Sequence, residues 1–130
     1  MNNKLIQESI ETLEKADIGS EYLDLMVMES VGLIPSNCRT LDVINGLVLW
    51  ELEDGEEGKS LYNQFTTSLD ATEYVFNGRW VWESMQQNDD GCWDCCASLA
   101  WGLPKVDTYN KSLPIARTIV WLKSLQDIEK

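Results

Sequence analysis

The stretch RWVWESMQQNDDGCWDCCASLAWG, residues 79–102, decides the fold prediction because it carries the pattern of a β-hairpin. Side chains alternate in character along residues 79–86 and again along residues 93–101, which is the period of β-strands. Asp90-Gly91, between the two segments, supplies the positive φ that tight hairpin turns demand. One side of the hairpin collects Trp80, Trp82, Ser84, Trp93, Cys95, Ala97, Leu99 and Trp101, opposite Val81, Glu83, Met85, Asp94, Cys96, Ser98 and Ala100. We therefore predict an antiparallel sheet with one buried, tryptophan-rich face.

Apolar residues at helical spacing predict helices before and after this hairpin. Residues 2–32 hold two such segments, and Ser20 is a good N-cap for the second, which Gly32 can end. The clearest helix spans residues 113–128, with Ser112 as its N-cap and Pro114 in the first turn, where proline is tolerated. We expect this last helix to pack on the tryptophan face of the sheet.

The middle of the chain adds one strand and one short helix to the prediction. Residues 47–52 alternate as a strand that ends at EDGEEG (53–58), which is predicted to be an exposed turn or loop, and Thr67 or Ser68 can cap a short helix. Residues 33–40 and 102–111 are predicted to be connections. The predicted order of elements is therefore α-α-β-α-β-β-α.

This order predicts an α+β fold, in the form of a helix–sheet–helix layered sandwich. Its small antiparallel sheet would include the hairpin 79–101, and helix 113–128 would close it. We expect a single domain over residues 1–130, which is long enough to bury a core. Its parts are the N-terminal helices 2–32, the strand, short helix and hairpin 47–101, and the closing helix 113–128.

The charge of the chain restricts its partners. It has 22 acidic and 10 basic residues, no histidine, and a net charge of −12. Such a chain repels nucleic acid and anionic membranes unless its basic residues cluster, and here they are scattered. We therefore expect no direct binding to nucleic acid or to a membrane. An acidic surface can serve solubility alone, and an acidic run is by default a solvated turn, but we predict a partner with a basic surface. The candidate partner-binding residues are Glu51, Glu53, Asp54, Glu56 and Glu57, together with Asp89 and Asp90.

The cysteines and tryptophans of the hairpin allow other interpretations, which we weigh as minor. A zinc site would need four ligands, and besides Cys92, Cys95 and Cys96 the chain offers only Cys38 and no histidine. A thioredoxin-like C-x-x-C would open a helix rather than enter a strand. Stacking platforms for bases lie in basic grooves, whereas these tryptophans have acidic neighbours. We expect free thiols, no metal and no cofactor, and an interface role for any exposed tryptophan, Trp50 or Trp101 above all.

Catalysis and export are also not expected. The chain lacks histidine, a Walker loop, a G-x-S-x-G motif and a dinucleotide fingerprint. Carboxylate chemistry is the one enzymatic alternative that remains. There is no apolar run of membrane-spanning length and no signal-peptide core, so we expect a cytoplasmic protein.

Three segments in order resemble those of a known family. EYLDLMVMESVGL (21–33), YNQFTTSLDATEYVF (62–76) and SLPIARTIVWLKSL (112–125) are similar to the motifs of the phage ABA sandwich domain, which places a tryptophan-containing hairpin between the last two. The resemblance covers roughly residues 20–127. It implies a helix–sheet–helix fold and a phage or prophage origin. It implies no defined activity and no catalytic residues.

Our leading functional hypothesis is a non-enzymatic phage accessory protein in the cytoplasm of the bacterial host. It would bind and inhibit a host protein, such as a nucleic-acid-binding defence complex, in the manner of an anti-CRISPR protein. The alternative is an oligomeric sponge for a signalling nucleotide, which would need Arg79, Arg117 and Tyr109 in one pocket. The last helix is apolar over much of its circumference, which fits a homodimer interface as well as core packing.

Overall fold

In the part of the chain that the structure describes, the α+β fold consists of four helices and two antiparallel sheets of three strands. The computed structural model describes residues 3–73, 80–99 and 105–128. The helices are α1 Asn3–Glu14, α2 Glu21–Ser30, α3 Asp70–Glu73 and α4 Leu113–Ile128. The strands are β1 Cys38–Ile44, β2 Leu47–Leu52, β3 Glu57–Leu61, β4 Trp80–Gln87, β5 Trp93–Leu99 and β6 Lys105–Asn110. Strand order is β1-β2-β3 in the first sheet and β4-β5-β6 in the second.

The first sheet is larger than the sequence pattern predicted. Strand β2 confirms the prediction for residues 47–52, but the connection predicted at 33–40 is wrong at its end, where β1 begins. Asn45 and Gly46 join β1 to β2, with φ of 55° and 76°. This is the Asn-Gly signal of a two-residue hairpin turn, and it places Ile44 directly opposite Leu47.

The second sheet confirms the hairpin and adds a strand to it. Strands β4 and β5 pair antiparallel, and the turn closes through the Asn88 N–H, which donates to the Cys92 carbonyl at 2.8 Å. The prediction of a connection at 102–111 is wrong for its second half, because β6 pairs with β5 there. Residues 79 and 100–102 of the predicted hairpin lie outside the described residues, as does Trp101.

A bulge changes which side chains share a face of this hairpin. The register shifts between Trp82 and Ser84, so that Ser84 lies opposite Cys96 and Met85 lies opposite Cys95. The predicted sides of Ser84 and Met85 are therefore wrong, because one extra residue reverses the alternation after it. The extra residue is Glu83, whose carboxylate accepts a 2.9 Å hydrogen bond from Ser98 Oγ and pairs with Lys105 Nζ at 3.2 Å. These two contacts lower the pKa of Glu83.

The helix ends follow the caps that the sequence predicted. Ser20 Oγ accepts from the Leu23 N–H at 3.1 Å at the start of α2. At the other end, the Leu33 N–H donates to the Met28 carbonyl and the Gly32 N–H to the Glu29 carbonyl, at 2.9 and 3.2 Å. This pair of bonds is a Schellman motif. Ser112 Oγ accepts from the Ile115 N–H at 3.3 Å and opens α4.

Helix α4 contributes to two hydrophobic clusters among the described residues. Ile115, Ile119 and Leu122 join the larger cluster, which collects side chains of α1, α2 and the first sheet. Ala116 and Val120 pack instead on Trp80, Cys95 and Ala97 of the second sheet. The prediction that the last helix packs on the tryptophan face is confirmed.

No helix in the described part of the chain is both long and apolar enough to cross a membrane.

Candidate functional site

The first sheet leaves an aliphatic surface on its outer side. Val48 is fully buried in the larger cluster, and Trp50 packs partly against it. Because strand residues alternate, Leu47 and Leu49 face the other way, as the pattern of β2 indicated. Pairing extends this surface across the sheet, since Leu47 lies between Ile44 on β1 and Leu61 on β3. We call this surface the aliphatic face, and it comprises Leu41, Ile44, Leu47, Leu49 and Leu61.

The exposure of the aliphatic face is high for side chains of this type. Leu61 is 73% exposed, Ile44 48% and Leu41 43%. A single exposed aliphatic residue is ordinary, but a cross-strand row of them is a contiguous apolar patch. Patches of this kind mark surfaces that bind other proteins.

A half-buried tryptophan shares a cavity with two residues of the aliphatic face. A cavity of about 300 Å³ is lined by Leu41, Leu49, Trp50, Glu57, Gly58 and Lys59. The indole ring of Trp50 lies over Gly58, where any Cβ would collide with it. Its Nε1 donates to Ser60 Oγ at 3.2 Å, and Ser60 Oγ donates to the Leu33 carbonyl at 2.7 Å. Trp50 is thus held in a fixed orientation on the Val48 side of the sheet, opposite to the aliphatic face, and is only partly exposed.

The acidic residues predicted at 51–57 lie at one end of the same sheet. Glu51 pairs with Arg39 Nη2 at 2.9 Å, and Asp54 Oδ1 accepts from the Glu56 N–H at 2.9 Å, so both support the fold. Glu53, Glu56 and Glu57 are exposed. Glu57 lies directly opposite Glu51, and such a like-charged cross-strand pair is destabilising. We call residues 51–57 the acidic turn.

The other two predicted acids belong to the second sheet. Asp90 Oδ1 accepts from the Cys92 N–H at 2.9 Å and shapes the β4–β5 turn. Asp89 is exposed there, beside an open cavity of about 470 Å³ that includes Tyr109. The predicted set of acids is therefore divided between two turns, and only residues 51–57 adjoin the aliphatic face.

The cysteines have the environment of unreactive thiols. All four are free. Cys95 is 1% exposed beneath α4, and burial raises its pKa to about 11. Cys96 faces the opposite side, where burial and the nearby Glu83 raise its pKa. Within the described ranges, no group of three or more His, Cys, Asp or Glu side chains is arranged to hold a metal.

The parts of the alternative nucleotide pocket are not brought together by the described residues. Arg117 is 8% exposed on α4, with its Cζ 5.0 Å from the centre of the Trp82 ring. Tyr109 is 51% exposed and lies opposite Asp94, on the side of the second sheet away from α4. Arg79 lies outside the described residues.

Sequence reasoning missed the β1 and β3 parts of the aliphatic face. Leu41 and Ile44 fall in or near a segment predicted as a connection, and Leu61 follows the acidic turn without an evident strand pattern. The Asn45-Gly46 turn was the signal that could have found Ile44, because it pairs the residues on either side of it.

Comparison with known proteins adds no relative. A scan of protein-family models and searches of curated proteins and of solved structures found no match to this chain. The resemblance to the phage ABA sandwich domain therefore stays a prediction.

Proposed function

We propose that this protein is a non-enzymatic binding protein that inhibits a bacterial host protein through the aliphatic face and the acidic turn. The observation that carries the proposal is the row Ile44–Leu47–Leu61, whose two outer members are exposed, on the same sheet as the acidic turn. The row supplies apolar area that a partner would remove from water. The acidic turn supplies the charge that selects a partner with a basic surface.

The two parts of this surface have different physical roles. Central apolar side chains usually provide most of the binding free energy, whereas rim charges mainly accelerate association and select the partner. A host protein that normally holds nucleic acid has the required basic rim. We therefore propose a defence complex of this kind as the target, with the protein acting as an anti-CRISPR-type inhibitor.

The setting that fits this function is the cytoplasm of an infected or lysogenic bacterium, with the protein encoded by a phage or prophage. The resemblance to the phage ABA sandwich domain supports this setting. It also supports a layered helix–sheet–helix arrangement, for which α4 would form one layer because it packs on the second sheet.

A charged substitution at the most exposed aliphatic residue tests the proposal. Leu61→Asp adds a carboxylate at the β3 end of the apolar row, and we expect it to weaken partner binding at least about tenfold, or ~1.4 kcal/mol. The matched control is Ile18→Asp, which makes the same change of charge at an aliphatic residue that is 80% exposed outside this sheet. Neither variant should change the free energy of unfolding appreciably, because both side chains already lie in water.

The partner is obtained by capture on the tagged protein from bacterial lysate at low salt and identified by mass spectrometry. The affinity of the purified partner for the wild type and both variants is then measured at low and high salt. We expect to capture one nucleic-acid-binding host protein. Its affinity should fall at high salt, and it should fall for Leu61→Asp but not for Ile18→Asp. Equal affinities for all three proteins, or a captured protein that holds equally well at high salt, would refute the proposal. Release of a nucleotide from the heated protein would favour the sponge instead.

A further inference from the structure

A second surface of the protein is the groove between α1 and α2. The two helices lie side by side, and each contributes a stripe at the i, i+3, i+4, i+7 spacing that puts side chains on one face. The groove has a volume of about 500 Å³, which is ample for a row of side chains. Ile34 and Thr40 of β1 also line it.

The floor of this groove combines three apolar side chains with the buried hydroxyls of Ser9 and Ser30. Leu5 of α1 and Leu25 and Met26 of α2 all line it, and all three are only partly buried. Met26 adds a flexible thioether, which adjusts to side chains of different shapes. The floor can therefore accept aliphatic side chains from a partner.

The rim of the groove is acidic and aromatic. Glu8 of α1 and Glu29 of α2 line it, and neither carboxylate forms an ion pair within the described residues. Burial raises the pKa of Glu29, so a cation placed beside it would stabilise its ionised form. Tyr22, whose side chain is 73% exposed, adds a ring face that attracts ammonium and guanidinium groups.

We propose that this groove binds an amphipathic helix of the basic partner. Aliphatic residues of that helix would cover the floor, and its lysines or arginines would reach Glu8, Glu29 and Tyr22. A groove between two helices suits a third helix, because side-chain ridges of one helix fit the grooves of its neighbours. Helix α1 has 12 residues, so at ~1.5 Å per residue the groove can hold about three turns.

Charge favours such a partner over a second copy of this chain. Helix α1 carries Glu8, Glu11 and Glu14, and α2 begins with Glu21, so a second copy would bring carboxylates against carboxylates. Like charges brought together across an interface oppose association. The inference rests on the proposed function only for the basic character of the partner. It specifies which kind of segment that partner presents.

The test uses a synthetic peptide and needs no identified partner. The probe is a fluorescent helical peptide of about four turns, with leucines at i, i+3, i+4 and i+7 and lysines elsewhere. A scrambled peptide of the same composition and a glutamate version are its controls. We expect binding of the leucine–lysine helix alone, measured by fluorescence anisotropy, with NMR shift changes that map to α1 and α2.

Matched variants separate the groove from general charge attraction. Glu29→Lys is expected to weaken the peptide about tenfold, whereas Glu53→Lys, the same charge change on the acidic turn, should weaken it less than about twofold. Met26→Asp should act like Glu29→Lys, and its fold is checked by urea unfolding. Equal losses for Glu29→Lys and Glu53→Lys, equal binding of the scrambled peptide, or shifts that map to the acidic turn would overturn the inference. So would a dimer in sedimentation that Met26→Asp abolishes.

The captured host protein then distinguishes the two proposals. Loss of its binding in Leu61→Asp but not in Glu29→Lys would leave the proposed function standing and refute the groove. Loss in Glu29→Lys but not in Leu61→Asp would support the groove and refute the aliphatic face.

Discussion

Asp24 shows how a single buried carboxylate can be accommodated without a cation. Its side chain is fully buried at the first turn of α2. It accepts hydrogen bonds from the Thr66 N–H, Thr66 Oγ1, Thr67 Oγ1 and the Tyr62 hydroxyl, at 2.6, 2.7, 3.0 and 2.7 Å. These bonds tie α2 to the segment that leaves β3. Two of the three segments that carry the family resemblance therefore meet at this carboxylate.

Replacing Asp24 tests how much these hydrogen bonds stabilise the contact between α2 and residues 62–67. Asp24→Asn puts an amide NH₂ donor where four donors converge, so at least one of them loses its acceptor. Hydrogen bonds to charged groups contribute ~1.5–3 kcal/mol each, and we expect the free energy of unfolding to fall by about 3 kcal/mol. Urea unfolding measures it, with the exposed Asp89→Asn as control. A loss below about 1 kcal/mol would show that these hydrogen bonds contribute little.

Tyr62 makes the stability of this contact between α2 and residues 62–67 dependent on pH. Burial and then the hydrogen bond to Asp24 raise the pKa of Tyr62 above its usual value of ~10. Because the pKa of Tyr62 is higher in the folded state, the stabilisation that its hydroxyl contributes is complete below pH ~10. This stabilisation is lost as the pH rises further. Between pH ~10 and the folded-state pKa, unfolding free energy should fall by up to ~1.4 kcal/mol per pH unit.

Tyr62→Phe removes this titration, so its stability should approach that of the wild type as the pH rises from about 9 to 11. Urea unfolding at several pH values measures the difference in unfolding free energy, the gap, between the variant and the wild type. Asp24→Asn keeps the Tyr62 hydroxyl but removes the carboxylate beside it. The slope of its unfolding free energy against pH should therefore lie between those of the wild type and Tyr62→Phe. A gap that stays constant over this range would contradict the assigned cause.

At the scale of elements, the β1–β2 turn can be tested without altering any contact. Gly46 has φ +76°, and a Cβ built there meets no atom within 4 Å. Gly46→Ala therefore reports backbone strain alone, which we expect to lower unfolding free energy by about 1–2 kcal/mol. Urea unfolding measures the loss, and Asn45→Gly is the control because glycine adopts positive φ readily. An unchanged stability in Gly46→Ala would mean that the turn does not need this conformation.

The helices and the β4–β5 hairpin were predictable because their signals are local. Ser20 and Ser112 bond within three residues of themselves, and Asp90-Gly91 closes its own turn. Strand β6 has no such signal, because its stability comes from pairing with β5 and from burial of Thr108 and Asn110. The bulge at Glu83 was equally hidden, since its carboxylate is held by Ser98 and Lys105 from other strands.

The candidate surface was predictable only in its charged part. The acidic turn is visible as a run of carboxylates, and alternation in β2 separates Leu47 from Val48. The aliphatic face needs the register of three strands, which joins Ile44 to Leu47 and Leu47 to Leu61. The α1–α2 groove needs the packing of two helices, and each helix alone shows only an ordinary amphipathic pattern.

At the scale of the whole molecule, the charge of −12 opposes folding while it favours a basic partner. Self-repulsion of this size destabilises the compact state, and salt screens it. Glu53 and Glu56 are exposed and add to it without any ion pair in the described residues. Stability and binding should therefore respond to these two residues in opposite directions.

The double variant Glu53→Lys with Glu56→Lys tests these opposite effects on stability and binding. Each substitution adds two positive charges, so the two together bring the net charge from −12 to −8. We expect a higher urea midpoint than wild type at low salt, and no difference at high salt. Its association with the proposed basic partner should be slower at low salt, because steering is lost while the aliphatic face is intact. Glu53→Gln with Glu56→Gln makes half the change of charge and should give about half of each effect. A double lysine variant that is more stable yet associates as fast as wild type would show that the partner does not approach over the acidic turn.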